Sequence, residues 1–286
     1  MLNLSDYDYT IPEKLIAQVP LKRRDDARLL VVDRKKEKLT HDFFYNLDQY
    51  LPPQSALVFN NSKVLPARLI GKKQRGSASI EIFPLKPIDN DGSFECLIRP
   101  LKRLKTGDVV EFATSTYQAQ LIDRDKMIVR FNRRNLRPLF LKEGHMPLPP
   151  YIKREDRASD RIDYQTVYSQ VEGSVAAPTA GLHFTKKQLA NLKRAGHPLI
   201  NVTLHVNYAT FKAVEAEDIT RHKMHEENYE VSARAYSALM KAKKEGRSFL
   251  SSNWPGSEVR SRSNTADEAI DAKFHGSYLR PYIHLP

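Results

Sequence analysis

The stretch from residue 65 to residue 141 decides the fold, and its middle, residues 79–100, reads SIEIFPLKPIDNDGSFECLIRP. Two strand-like runs lie there on either side of the turn signal Asn90-Asp91-Gly92. Six such runs follow one another between these limits. Short strands at this spacing predict a small antiparallel barrel or sandwich. The runs are Ala67–Gly71, Ser79–Leu85, Phe94–Pro100, Val109–Ala113, Tyr117–Ile122 and Lys126–Phe131.

Strand and helix signals alternate on both sides of this stretch. Arg28–Asp33 and Ala56–Asn60 are apolar enough for buried strands, whereas Pro12–Ala17 and Phe43–Leu51 predict helices. The simplest organisation is a mixed α/β main domain that carries an inserted small antiparallel β-barrel domain. We therefore expect a discontinuous α/β domain of residues 1–64 plus 149–286 and a barrel domain of residues 65–148.

The composition favours a cytoplasmic protein. The 286 residues are 41% hydrophobic, yet no apolar run approaches the roughly 20 residues that a membrane-spanning helix needs. The first residues carry no pattern of a secretory signal peptide. A single cysteine, Cys96, excludes an intramolecular disulfide, and its place in a predicted strand indicates a buried, unreactive thiol.

The net charge of +12 makes nucleic acid a plausible partner. The alternative is a basic surface that serves solubility alone. The clustering of the charges favours a directed patch, because three basic groups lie within one region of about 65 residues. These groups are Lys72, Lys73 and Arg75, then Lys102, Arg103 and Lys105, and finally Arg133, Arg134 and Arg137.

Residues 173–185, GSVAAPTAGLHFT, form a run of small residues that ends in one histidine, His183. The run predicts a shaped loop in which glycines let backbone approach a ligand closely. Thr185 is a typical N-cap for a helix over 186–195, which Gly196 ends. A ligand site at this loop and a tight structural turn are both consistent with the pattern.

Polar residues also follow or end predicted strands. Asn60 and Lys63 come at the end of a buried strand, where ligands gather in α/β sheets, and an Asx turn with a solvated lysine is the alternative that the local pattern favours. His205 lies near the end of the alternating run 202–206, and it is either an acid/base group or a histidine that is only hydrogen-bonded in place.

His222 and His225 have the i, i+3 spacing of one helix face. Zinc is one interpretation, but no further ligand pattern accompanies the pair, so we expect no metal and prefer the wall of a polar site. The sequence also has no Walker A, G-x-G-x-x-G or G-x-S-x-G motif.

Several segments taken together resemble one family, the S-adenosylmethionine:tRNA ribosyltransferase-isomerases of queuosine biosynthesis. The segments occur in the family's order and span roughly residues 1–247. Each is weak alone, and their combination is specific. They are Asp6–Tyr9, Pro12–Gln18, Arg24–Val31, Leu57–Arg68, Arg99–Lys105, Gly144–Ile152, Asp163–Tyr168, Gly173–Thr185, Thr203–Val206 and His222–His225.

The resemblance implies a transferase-isomerase and its substrates. The ribosyl part of S-adenosylmethionine is moved to 7-aminomethyl-7-deazaguanine in a tRNA anticodon and isomerises to give epoxyqueuosine, while adenine and methionine leave. It also implies an α/β catalytic domain with an inserted barrel and S-adenosylmethionine as a co-substrate with no cofactor. The partner is tRNA with a 7-deazaguanine-type wobble base, and we expect a monomer rather than a stable oligomer.

The reaction needs groups that move protons and groups that hold the nucleoside and the tRNA. We assign the acid/base work to His183 and His205. The expected substrate-binding residues are Asn60, Lys63, Arg68, Thr179, Ala180, Gly181, Thr203, His222, His225 and Arg260. The expected tRNA-binding residues are Lys72, Lys73, Arg75, Lys102, Arg103 and Lys105.

The sequence departs from the family in three places. Asn207-Tyr208-Ala209 replaces glycines after the Leu-His-Val run, and Ser257–Ser261 keeps only part of a Thr-Thr-Ser-Val-Arg-Thr motif. The C-terminal part looks shortened, and residues 248–273 are polar with poor periodicity. These departures leave two alternatives open: a non-catalytic tRNA- or RNA-binding protein that keeps the scaffold, and a metal-dependent hydrolase that uses the His222/His225 pair.

Overall fold

The computed structural model describes residues 3–113, 116–207, 214, 216–222 and 227–251. The chain divides into two compact units: residues 1–63, 149–154 and 163–286 form the main unit, and residues 64–148 and 155–162 form the barrel unit. The expected domain boundaries, residues 1–64 with 149–286 for the α/β domain and 65–148 for the barrel domain, stay a prediction.

The strands and helices are as follows in chain order. The strands are β1 Arg28–Asp33, β2 Lys38–Phe43, β3 Ala56–Asn60, β4 Ser62–Val64, β5 Leu69–Lys73, β6 Ser79–Pro87, β7 Ser93–Arg99, β8 Val109–Glu111, β9 Gln118–Asp123, β10 Ile128–Phe131, β11 Val171–Ser174, β12 Leu199–His205, β13 Asn228–Glu230 and β14 Phe249–Ser251. The α-helices are α1 Arg137–Glu143, α2 Asp160–Asp163, α3 Lys186–Arg194 and α4 Ala233–Lys244. The 3₁₀ segments of the described residues are Leu4–Tyr7, Glu13–Leu15, Arg24–Asp26, Phe44–Tyr50, Leu101–Arg103, Thr179–His183 and Ile219–Arg221.

Six antiparallel strands close a barrel in the order β10-β7-β6-β5-β8-β9. Alternate residues point inward, so that Leu69, Ile80, Val110 and Leu121 are each at most 1% exposed. The six predicted runs are the six strands, and the fold class expected from the sequence, a mixed α/β domain with a small antiparallel barrel, is confirmed. Cys96 is buried in this barrel, as predicted, and burial raises the pKa of its thiol well above the ordinary value.

The main unit contains a four-stranded mixed sheet in the order β13-β12-β3-β14. Strands β12 and β14 run parallel to β3, and β13 is antiparallel to β12. Two smaller pairs accompany it: the antiparallel hairpin of β1 and β2, and the pair of β4 with β11. Helix α4 packs its buried Ala235 and Ala242 with Ala56 and Ile200 of the sheet.

Helix α3 begins and ends as the sequence predicts. The Thr185 hydroxyl accepts the Gln188 amide at 3.2 Å, and the Gln188 side chain returns to the Thr185 amide, which completes a capping box. Leu192 of this helix packs into an aromatic core with Phe44 and Phe59. Gly196 follows the helix with a φ of +88°, a conformation that suits glycine at a helix end.

Two expected helices are shorter and tighter than predicted. Residues 13–15 and 44–50 form 3₁₀ turns instead of α-helices. Beside the second turn, the Asp42 carboxylate accepts hydrogen bonds from the Asn46 amide and the Tyr50 hydroxyl. The apolar spacing identified helical turns, but in such short runs it does not distinguish i→i+3 from i→i+4 hydrogen bonding.

Candidate functional site

The polar residues at the end of β3 and β12 meet at one edge of the mixed sheet. The two strands are parallel, with Val202 in register with Asn60, so their carboxyl ends lie at the same edge. Open α/β sheets bind ligands at this edge. Strand β14, also parallel to β3, ends there with Ser251 in register with Val58. The edge therefore brings together Asn60, Thr203 and His205.

Asn60 ties the edge together through its side-chain amide. The amide nitrogen donates to the Leu204 carbonyl at 2.8 Å, and the amide oxygen accepts the Leu204 and Ser62 amides, each at 3.0 Å. The residue is 4% exposed, so these bonds satisfy a buried group that would otherwise destabilise the fold. The described contacts of Asn60 therefore join strands.

A second buried network lies beside it. The Thr203 hydroxyl donates to the Asn61 side-chain oxygen at 2.7 Å, and the Ser174 hydroxyl donates to that of Ser62 at 2.7 Å. The Val206 amide in turn donates to Ser174 at 3.0 Å. These bonds fix the start of the small-residue loop against the end of β12. Sequence reasoning named Thr203 but missed both serines, which only the tertiary pairing brings together.

His205 lies directly against the backbone of Gly173. A Cβ atom at Gly173 would come within 2.7 Å of both Cε1 and Nδ1 of the imidazole. The glycine has a φ of +144°, a conformation that side-chain-bearing residues rarely adopt. Nδ1 of His205 is buried without a hydrogen-bond partner among the described residues. Burial lowers the pKa of His205, and the Glu230 carboxylate acts weakly in the opposite direction.

His183 stands at the other end of the loop. It is the last residue of the 3₁₀ turn Thr179–His183, and its ring is tilted over Phe44 with the centroids 5.3 Å apart. Phe44 makes an edge-to-face contact with Phe184 at 4.9 Å, and Phe184 makes another with Phe59 at 5.1 Å. A packed aromatic cluster therefore supports one face of the half-buried imidazole.

The turn that carries His183 also shows why Gly181 is glycine. A Cβ there would lie 2.1 Å from the Tyr168 hydroxyl and 3.0 Å from the Thr166 methyl group. The Thr166 hydroxyl is buried with no hydrogen-bond partner in the described part of the chain. Thr179 and Ala180 are half-buried beside it. Sequence reasoning missed Thr166 and Tyr168 as neighbours of this turn.

The loop of residues 173–185 differs in one respect from the expectation. Gly173 and Ser174 still belong to β11, so the irregular part begins at Val175, whose amide donates to the Val206 carbonyl at 2.9 Å. The strand carries the closely approached glycine, and the 3₁₀ turn carries the histidine. His205 and His183 thus flank the two ends of the same loop.

The expected cationic ligands Lys63 and Arg68 lie in different units of the chain. Lys63 is about half-exposed and forms an ion pair with Glu172 at 3.8 Å. Arg68 belongs to the barrel unit, where its guanidinium contacts Asp156 at 3.4 Å and Glu81 at 4.0 Å. Lys63 and Arg68 therefore do not form a common binding site within either unit.

Asp156 organises a cluster that sequence reasoning missed. Its carboxylate accepts the Met146 amide at 2.9 Å and lies 2.8 Å from Nδ1 of His145. The backbone of His145 exchanges two hydrogen bonds with that of Arg68, and the neighbouring Gly144 lies so close to the Pro66 carbonyl that a Cβ there would clash with it. The Asp156 side chain is 10% exposed, so the cluster fixes the chain segment that closes the barrel unit.

The remaining expected site residues are only partly described. His222 is half-buried and follows the 3₁₀ turn Ile219–Arg221. His225 and Arg260 lie outside the described residues, as do Tyr208, Ala209 and the departures at 257–261. The i, i+3 geometry of the two histidines thus stays a prediction. Within residues 3–251, as far as they are described, no group of three His, Cys, Asp or Glu side chains lies close enough to hold a metal.

Two of the basic groups meet on the barrel unit. The Lys73 ammonium contacts the Asp108 carboxylate at 2.6 Å and reaches the Arg103 carbonyl at 3.5 Å. The hydrogen bond from Lys73 lowers the pKa of Asp108. The other five expected tRNA-binding residues, Lys72, Arg75, Lys102, Arg103 and Lys105, are exposed. The patch therefore holds one neutralised lysine and five solvated cations.

The described helices include none that is both long and apolar enough to cross a bilayer.

Known proteins resemble this chain over most of its length. The family model described as queuosine biosynthesis protein matches residues 4–252. The "S-adenosylmethionine:tRNA ribosyltransferase-isomerase" of Sulfurihydrogenibium sp. (strain YO3AOP1) is 44% identical over 250 residues, which cover 87% of this chain and 74% of that protein. The protein of the same name from Desulforamulus reducens is 42% identical over 249 residues, which cover 86% and 72%.

A solved structure, that of S-adenosylmethionine tRNA ribosyltransferase from Thermotoga maritima, is 28% identical to this chain. The match covers 86% of this chain and 68% of that one, with a TM-score of 0.37.

Proposed function

The chain belongs to the queuosine biosynthesis family of S-adenosylmethionine:tRNA ribosyltransferase-isomerases, and from this premise we propose how its residues carry out that reaction. The enzyme transfers and isomerises the ribosyl part of S-adenosylmethionine onto 7-aminomethyl-7-deazaguanine in tRNA. Epoxyqueuosine forms, and adenine and methionine leave. The observation that carries this proposal is the 44% identity over 250 residues to a relative of that name.

The site is built around the small-residue loop. The sulfonium of S-adenosylmethionine acidifies the neighbouring carbon, so a histidine is basic enough to remove a proton there. His183 takes this role because it stands at the end of the turn Thr179–His183, held from below by Phe44. The backbone of Thr179, Ala180 and Gly181 holds the nucleoside.

The carboxyl edge of the sheet supplies the other side of the site. His205 faces the nucleoside from the end of β12, and Thr203 and Asn60 keep that edge in register through their buried hydrogen bonds. Lys63 is exposed enough to reach the methionine carboxylate beyond its ion pair with Glu172. His222, His225 and Arg260 complete the wall of the site.

The barrel unit supplies the tRNA-binding surface. Exposed cations beside Lys73 bind backbone phosphates, which gives affinity without reading sequence. Lys73 itself is neutralised by Asp108 and holds the patch in place. S-adenosylmethionine is the co-substrate, no metal or further cofactor takes part, and the protein acts as a cytoplasmic monomer on tRNA whose wobble base is of the 7-deazaguanine type.

A direct experiment is product analysis of the tRNA. Purified protein is incubated with S-adenosylmethionine and tRNA that carries 7-aminomethyl-7-deazaguanine. The tRNA is then digested, and its nucleosides are separated and identified by mass spectrometry. The proposal predicts epoxyqueuosine in this sample and none when the tRNA carries unmodified guanine. Persistence of 7-aminomethyl-7-deazaguanine in the first sample contradicts it.

A non-catalytic RNA-binding protein is the second candidate, and one observation favours it. The family match ends at residue 252, and the divergent motif at 257–261 lies beyond it. If a binding assay shows that the protein binds this tRNA while the product analysis finds no epoxyqueuosine, this alternative is selected.

A further inference from the structure

His205 carries a buried ring nitrogen whose surroundings restrict its protonation. Nδ1 has no hydrogen-bond partner among the described residues, and water does not reach it. The residue as a whole is half-buried, and Nε2 is not among the buried atoms without a partner in the described part of the chain, so Nε2 is the nitrogen that a ligand can meet. The two nitrogens of this imidazole therefore have different environments.

The contact with Gly173 keeps Nδ1 in that environment. Because a Cβ at Gly173 would lie 2.7 Å from Nδ1 and Cε1 but 3.4 Å from Nε2, the backbone of β11 packs closest to the Nδ1 side of the ring. The φ of +144° at Gly173 is open to glycine alone at low cost. Strand β11 is in turn held to the end of β12 by the 3.0 Å bond from the Val206 amide to Ser174.

A neutral imidazole has one N–H donor and one acceptor nitrogen, and an imidazolium has two donors. A buried N–H without an acceptor loses its hydration with no compensating bond, and orphaned N–H groups are rarer in proteins than under-satisfied acceptors. The less costly state therefore keeps the proton away from Nδ1. The imidazolium and the Nδ1–H tautomer both place a donor in the closed environment.

We propose that His205 is a neutral imidazole with its proton on Nε2, and that it serves as a hydrogen-bond donor to the nucleoside of S-adenosylmethionine rather than as a base. The inference rests on the proposed function and deepens it. Nε2–H meets an acceptor of the nucleoside, either a ribose oxygen or a ring nitrogen of the departing adenine. Gly173 is its positioning residue.

The assignment divides the work between the two histidines. A donor aimed at an atom that gains negative charge in the transition state lowers the barrier without giving up its proton, and a neutral imidazole is suited to this. Removing a proton needs a free lone pair on an accessible nitrogen, which the Nε2–H tautomer of His205 does not have. Proton abstraction therefore falls to His183.

Nitrogen NMR reads the tautomer directly. The protein is labelled with ¹⁵N-histidine, and two- and three-bond ¹H–¹⁵N correlations are recorded at pH 7.5, with the His205 signals identified by their loss in His205→Gln. The proposal predicts a protonated Nε2 and an acceptor-type shift for Nδ1. A protonated Nδ1, in the other tautomer or in the imidazolium, would overturn it.

Variants test the role in the reaction. Loss of one such donor lowers kcat by about 10²–10³-fold, so we expect this for His205→Ala. The amide of His205→Gln places an N–H near the position of Nε2–H and should restore at least about tenfold of that loss, because one hydrogen bond to a buried acceptor is worth about 1.4 kcal/mol, or tenfold. A Gln variant as slow as the Ala variant, with tRNA binding and melting temperature both intact, contradicts donation.

Gly173→Ala is the matched test of positioning. The added methyl group should displace the ring, so that kcat falls while the KM for tRNA stays unchanged, and the His205 signals should shift in the NMR spectrum. Unshifted signals would remove Gly173 from this role. An inactive wild-type protein with the Nε2–H tautomer would instead contradict the proposed function and leave the tautomer standing.

Discussion

At the residue scale, the proposed chemistry depends most on His183. Its imidazole ends the turn Thr179–His183 and rests on Phe44, so His183→Ala removes a proton acceptor and leaves the aromatic core in place. We expect turnover to fall by about 10²–10⁴-fold while tRNA binding stays near the wild-type value. Adenine release and tRNA affinity measured on the same preparation test this.

The matched control is His41→Ala, which removes an exposed histidine of β2 in the same unit. We expect that variant to release adenine at the wild-type rate. Full activity in His183→Ala, or equal losses in the two variants, would remove His183 from the chemistry.

His205 also predicts how stability depends on pH. Burial lowers its pKa in the folded state below the ordinary value of about 6.5, so below that pH the unfolded chain binds more protons than the folded one. Stability therefore falls as the pH drops through this window. We expect His205→Gln to lose less stability than the wild type between pH 7 and pH 5, measured by urea unfolding. A constant difference between the two curves would contradict the shift, and His41→Gln is the control.

At the element scale, helix α3 depends on its capping box. Thr185→Ala removes the acceptor for the Gln188 amide and should lower the free energy of unfolding by about 1 kcal/mol. Thr185→Ser keeps the oxygen and should lose much less. Because the Gln188 side chain also donates to the Phe44 carbonyl at 2.8 Å, Gln188→Ala should cost more than Thr185→Ala. Chemical denaturation checks this order, and equal stability of all the variants would contradict it.

Elements with strong local signals were predictable from the sequence. The six barrel strands, β1, β3, β12 and α3 each have a pattern or cap that local physics interprets correctly. The 3₁₀ turn over residues 44–50 was predicted as an α-helix because the two share their short apolar spacing. Local sequence thus determines where an element lies better than which type of helix it is.

The contacts of the site were much less predictable. The Asn60 side-chain amide donates to the carbonyl of Leu204, which is 144 residues away in the sequence. Gly173 of β11 lies against the ring of His205 of β12. The first contact depends on register in a sheet whose strands are distant in the sequence, and the second depends on the packing of β11, which pairs with β4, against β12. The sequence named the histidines, Thr203 and the small-residue loop, but it could not show which nitrogen of His205 is buried.

At the scale of the whole molecule, the net charge of +12 predicts a measurable salt dependence of tRNA affinity. Each phosphate contact contributes a slope of about 0.7–0.9 to the fall of log K with log salt. We expect Lys72→Gln or Arg103→Gln to reduce the slope for tRNA binding by about 0.7–0.9, the contribution of one phosphate contact. Lys73→Gln, whose charge Asp108 already neutralises at 2.6 Å, should change the slope little. Identical slopes in the three variants would mean that this surface does not bind the phosphates.

The most direct test of the central claim is release of adenine from S-adenosylmethionine, measured with and without tRNA that carries 7-aminomethyl-7-deazaguanine. Ribosyl transfer onto that base predicts adenine only when this tRNA is present, in an amount equal to the epoxyqueuosine formed. No adenine in its presence, with the tRNA still bound, would contradict the account and leave an RNA-binding protein on the same scaffold.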